Sequence, residues 1–171
     1  MGEGEAGLTP SQRMRLEQLA ARLVLGKGFY PEVVVRVASQ LLAEGVDGDG
    51  LAQLASQPAD SKALDGVEVE RLFHTALAEL GLQVPSREIA GWTVARWIAT
   101  AIVDGVMPPD QGALRLWNVS GECGHPSELV EMLQLHDAWE SSFGSERTTV
   151  EEEIQAFAHD VISAADRHLT D

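Results

Sequence analysis

A chain of 171 residues that is 44% hydrophobic can bury a sizeable core and is too apolar for global disorder. Twelve Lys and Arg stand against 27 Asp and Glu, a net charge of −15, which repels polyanions and argues against direct binding of DNA or RNA. No run of 18 apolar residues marks a membrane span, the acidic start Met1 to Gly7 lacks the apolar core of a signal peptide, and the single Cys123 forbids an internal disulfide and suits a reducing cytoplasm.

In chain order, residues 1–7 read as a disordered leader and everything from 8 to 171 as a single all-α domain. Thr9-Pro10-Ser11-Gln12 has the chemistry of a helix start: a side-chain acceptor, a proline at the first helical position and a glutamine placed to return the bond. Leu16, Leu19, Leu23 and Val24 then predict one apolar face, stopped at Gly26. Pro31 opens a second helix carrying Val34, Val37, Ala38, Leu41 and Leu42, and the short loop makes the two an antiparallel hairpin. Val33-Val34-Val35 has strand character, but no second β-rich run exists to pair with it.

Residues 45–65 are the least regular, with a short helix expected near 50–56. Asp65 to Glu68 reads as a capping start for the stripe Val69, Leu72, Phe73, Ala76, Leu77 and Leu80, ended by Gly81. Residues 86–104 are apolar almost all round and rich in Ala and Gly, the composition of a buried central helix that neighbours approach closely. Gly105 and Pro108-Pro109 end it, and a helix from Pro109 to about Val119 follows. Residues 120–125 read as a loop. Pro126 opens a helix facing inward through Leu129, Met132, Leu133, His136, Trp139 and Phe143. Thr149 to Glu152 reads as the capping start of the last helix, whose core side includes Ile154, Phe157, Ala158, Val161 and Ala165. The predicted fold is thus a compact all-α bundle of seven or eight helices around the helix at about 86–104.

Chemistry-bearing motifs are sparse. Asp47-Gly48-Asp49-Gly50 resembles part of a calcium loop, but the first ligand and the closing glutamate are missing, and an Asp/Gly turn with Asp49 capping the next helix explains it. Cys123 and His125 have no second close ligand pair for zinc, and the acidity around Cys123 opposes a nucleophilic thiolate. We therefore expect no catalytic residue, no metal, no cofactor and no enzymatic activity. Arg96, set between Ala95 and Trp97, is a candidate for an anionic ligand or a partner carboxylate; the plainer reading lays its alkyl stem on the core with the head in water. Trp92, Trp97, Trp117 and Trp139 are core anchors first and a ligand cage second.

Charge is the strongest signal. Residues 116–171 hold 12 acidic and 2 basic groups, net −10, whereas residues 11–36 are net +3. Glu128, Glu131, Asp137 and Glu140 are expected on the exposed side of one helix, with Glu146, Glu151, Glu152, Glu153 and Asp160 before and along the next. The helix dipole accounts for part of a Glu triplet at a helix start, but not for ten excess charges in this stretch. A solvated face that confers solubility competes with a surface built for a basic protein partner. The expected partner-binding residues are Asp137, Glu140, Glu146, Glu151, Glu152 and Glu153.

Trp92 to Ile162 carries Ala95-x-x-Ile98-Ala99-x-x-Ile102, then Pro109-x-x-Gly112-Ala113-x-x-Leu116-Trp117, then Trp139-Glu140 and Glu151-Glu152-Glu153-Ile154. This pattern resembles that of small uncharacterised all-helical bacterial proteins. The resemblance implies an all-α fold and a bacterial cytoplasmic origin, and assigns no catalytic residue. The function expected is a non-enzymatic interaction protein whose acidic C-terminal surface engages a basic protein, as an immunity or antitoxin-type protein would. The alternatives are a helical ligand-binding or enzymatic domain with a pocket near Arg96 and the tryptophans, and a homo-oligomer (a homodimer, for instance) in which residues 11–36 dock on a neighbour's acidic face.

Overall fold

The computed structural model describes residues 7–58 and 62–170, which form eight α-helices and one 3-10 turn, with no strand among them. Apart from Gly7, the expected leader lies outside the described residues. The helices group into two compact units, Met1–Val84 and Pro85–Asp171, within the span read above as one domain.

The first unit holds α1 (Pro10–Leu25), α2 (Pro31–Ala43), α3 (Asp49–Ala55) and α4 (Gly66–Glu79). The expected capping box forms: Thr9 Oγ1 accepts from the Gln12 amide and Gln12 Oε1 from the Thr9 amide, at 3.3 and 2.9 Å. Gly26 ends α1 in the left-handed region. The buried stripe of α1 runs through Leu16, Leu19, Ala20 and Ala21 to Leu25, leaving Leu23 and Val24 only half-buried. Val33 to Val35 stay helical. Glu44, at the end of α2, accepts from Gln12 and Arg15 near the start of α1, which is the antiparallel pairing expected. Those two donors, Arg15 foremost, hold the Glu44 carboxyl below its usual range.

Helices α1, α2, α3 and α4 bury one core of Leu16, Val34, Leu41, Leu51, Leu72 and Phe73 among others. Gly50 sets the distance between α3 and α4: a Cβ there would lie 2.7 Å from the Ala76 backbone nitrogen. Asp49 does not cap α3. It is the first helical residue, Gly48 occupies the cap without a side-chain bond, and Glu79 of α4 accepts from the Gly50 amide at 2.8 Å instead.

The second unit holds α5 (Arg87–Val103), α6 (Pro109–Ser120), a 3-10 turn (Gly121–Cys123), α7 (Ser127–Ser141) and α8 (Ser145–Thr170). Here α5 is central, packing against α6, the 3-10 turn and α8. It buries Ala90, Trp92, Ala95, Ile98, Ala99, Ala101 and Ile102, more than one face, as its composition predicts. Glycine lets its neighbours close in. A Cβ on Gly112 of α6 would fall 2.3 Å from Ile102 Cγ1, and one on Gly91 would fall 2.9 Å from Cys123 Sγ.

Three local expectations change in this unit. Residues 120–125 are not an open loop: α6 runs to Ser120, the 3-10 turn continues it, and Gly124 and His125 reverse the chain at positive φ. Phe143 does not reach the core. Helix α7 ends at Ser141 and Ser142 is extended, so the register from Trp139 is lost and Phe143 is 76% exposed. The last helix starts at Ser145, after Gly144 at φ 55, and not at Thr149. Thr149 lies inside it, its hydroxyl donating to the Ser145 carbonyl. Among the described residues no helix is long and apolar enough to cross a membrane.

Candidate functional site

The earlier start of α8 alters the electrostatics of Glu151, Glu152 and Glu153. A helix dipole favours carboxylates mainly within the first turn, and these three begin more than one turn in. Glu152 and Glu153 are exposed, as are Asp137 and Glu140 on α7 and Glu146 at the start of α8. Glu140 sits 3.7 Å from His136, whose other ring nitrogen faces the Asp110 carbonyl at 3.2 Å. Glu151 is different. It is half-buried, and its Oε1 accepts from the Trp139 indole N–H at 2.9 Å, so it joins α7 to α8.

The two cations of residues 116–171 turn onto their own chain. Arg147 lies 4.1 Å over the Trp139 ring, and Arg167 reaches Glu128 at 3.7 Å. Among the described residues neither is paired with Asp137, Glu140, Glu146, Glu152 or Glu153.

Between α7 and α8 runs an open groove of about 360 Å³. Ser127, Glu128 and Glu131 line it from α7; Phe157, Asp160, Ser163 and Arg167 line it from α8. Among the described residues neither Glu131 nor Asp160 has an ion-pair partner. Phe157, read from the sequence as core, is half-buried and forms one wall of the groove. Residues 157, 160, 163 and 167 follow helical spacing, so that stripe was visible in the sequence. That it faces Glu128 and Glu131 depends on how α7 and α8 pack. Arg96 and the tryptophans do not line this groove.

Arg96 has a partner within the chain: its Nε donates to Asp166 Oδ1 of α8 at 2.6 Å. Trp92 is 1% exposed and stacks on His168 with ring centroids 4.4 Å apart. Trp117 and His125 lie 6.1 Å apart, with the His125 ring also 3.3 Å from the Ser120 hydroxyl. The Arg96–Asp166 and Trp92–His168 contacts join α5 to α8, and Trp117 of α6 meets His125 in the turn before α7, so Trp92 and Trp117 read here as packing anchors.

Cys123 is buried against Gly91. Burial first, then the carboxylates of Glu122 and Glu88, push its thiol up to about 12, far from the range of a nucleophile. Among the described residues, no group of three or more His, Cys, Asp or Glu is placed to hold a metal ion. No protein-family model, curated protein or solved structure matches the chain.

Proposed function

We propose that this chain is a non-enzymatic interaction protein of the bacterial cytoplasm whose α7–α8 face docks a basic protein partner. An immunity or antitoxin-type protein that covers the cationic surface of a toxin is the form of this function that the chemistry fits best. The observation that carries the reading is the exposed set Asp137, Glu140, Glu146, Glu152 and Glu153, on a unit whose C-terminal part holds 12 acidic and 2 basic groups. Glu146 lies in the first turn of α8, where the helix dipole favours it, but Asp137, Glu140, Glu152 and Glu153 have no such role, and none of the five forms an ion pair with Arg or Lys among the described residues. Complementary charge of this kind speeds encounter and rejects wrong partners more than it adds affinity. Glu151 belongs to the scaffold of the face, because its carboxylate is engaged by Trp139.

The second reading, a ligand-binding or enzymatic domain near Arg96 and the tryptophans, ranks lower because Asp166 already engages the Arg96 guanidinium. A homo-oligomer ranks third: two copies each at −15 repel at long range.

The test is affinity capture at low salt with wild type and with the combined variant Asp137→Asn, Glu140→Gln, Glu152→Gln, Glu153→Gln. A captured basic protein should associate more slowly as salt rises, because steering fields fade beyond a Debye length of about 8 Å at physiological ionic strength. The variant should slow association about tenfold with the fold unchanged. Absence of any basic partner at low salt would reduce the face to a solvated surface.

A further inference from the structure

We infer that the groove between α7 and α8 is a socket for one arginine side chain of the basic partner, an inference that rests on the interaction reading above. Two features of the groove favour this occupant: what its walls are made of and the charge left on them. The groove, about 360 Å³ and open to solvent, has ample room for a long side chain. Its walls bring an aromatic ring, Phe157, together with carboxylates from both helices, Glu131 of α7 and Asp160 of α8. Its charge remains negative: Arg167 pairs loosely with Glu128 at 3.7 Å, which leaves Glu131 and Asp160 unmatched and able to outweigh that one resident cation.

A guanidinium suits these walls better than an ammonium. It is planar and weakly hydrated, it stacks on an aromatic face, and its fork of donors can reach carboxylates on two sides. The Ser163 hydroxyl donates to the His159 carbonyl, which leaves its oxygen as a further acceptor on the α8 wall. An anionic ligand is opposed by the carboxylates. A second copy of this chain is disfavoured by its own −15 charge.

The probes are a labelled nine-residue peptide of lysine and glycine with one central arginine, and its twin with lysine at the centre. The readout is the ratio of their affinities for the full chain at low salt. The arginine peptide should bind about tenfold tighter, the worth of roughly one desolvated guanidinium–aromatic or charge-assisted contact. Phe157→Leu, which keeps an apolar side chain in place, and Glu131→Gln, which leaves the packing of α8 untouched, should each bring the ratio close to one. Glu152→Gln with Glu153→Gln should weaken both peptides alike and preserve the ratio. If both peptides bind with a ratio near one in wild type, or if the ratio survives Phe157→Leu and Glu131→Gln, the socket is wrong and the acidic face stands. If neither peptide binds, the socket and the acidic-face reading fall together.

Discussion

The indole N–H of Trp139 donates to Oε1 of Glu151 at 2.9 Å, tying α7 to α8 through a carboxylate that the sequence assigns to the partner face. Arg147 covers the same ring at 4.1 Å. One glutamate of the triplet thus has a structural task, while Glu152 and Glu153 stay exposed.

The three glutamates should therefore respond unequally to truncation. Glu151→Ala leaves a half-buried N–H without its acceptor and should cost about 1–2 kcal/mol. Glu152→Ala and Glu153→Ala should stay within about 0.5 kcal/mol, as exposed positions do. Urea unfolding followed by tryptophan fluorescence measures all three. Equal effects would mean that the Trp139 bond contributes nothing to stability.

Two glycines should resist a change that helix propensity favours. Alanine is the better helix former by about 1 kcal/mol, yet at Gly50 its Cβ would meet Ala76 backbone at 2.7 Å. At Gly112 it would meet Ile102 Cγ1 at 2.3 Å. We expect both Gly→Ala variants to lose about 1–3 kcal/mol through overpacking. Ile102→Ala removes the atoms that Gly112→Ala would strike. The double variant should therefore be more stable than the two single losses add up to, and additive losses would count against the close approach.

The α5 core should be intolerant of truncation. Trp92 and Ile98 are 1% and 4% exposed. Trp92→Ala and Ile98→Ala should each cost about 2–5 kcal/mol, because the surrounding helices cannot collapse fully into the space left. Thermal or urea unfolding decides this, and losses below about 0.5 kcal/mol would place α5 at the surface of its unit.

Cys123 predicts a pH dependence of definite sign. Its folded-state thiol is raised from 9.0 to about 12, chiefly by burial. Between those values the unfolded chain gives up its proton and the folded chain keeps it, so alkaline pH favours unfolding. The stability linked to the neutral thiol is complete below pH 9 and is lost as pH rises from there toward 12. Relative to Cys123→Ala, wild type should lose about 0.5–1 kcal/mol by pH 10 once solvent screening is allowed for. The native thiol should also resist alkylation at pH 8 and react only on unfolding. Rapid native-state labelling would contradict the burial argument.

Much of the helical pattern was legible because its signals are local. Thr9 and Gln12 close a box within one turn, Asp65 caps α4 from the adjoining residue, and Gly26 ends α1 with a left-handed backbone. The α8 start was misread for the same kind of reason. Thr149 to Glu152 carries capping chemistry, but Gly144 at φ 55 permits an earlier turn and Thr149 is absorbed into the helix. Phe143 kept the apolar period of α7 in sequence while the backbone had already left the helix at Ser142.

By itself, the sequence determined the all-α class, most helix ends, the apolar character of α5 and the excess of acid in the last third, all of which are set by composition and by interactions within a few residues. Only the tertiary structure decided which distant groups meet: Gly50 with Glu79 across 29 residues, Arg96 with Asp166 across 70, and Glu131 with Asp160 on opposite walls of one groove. Helical periodicity specifies the face on which a side chain lies, but its partner depends on the relative rotation and crossing of two helices, which many packed side chains set together.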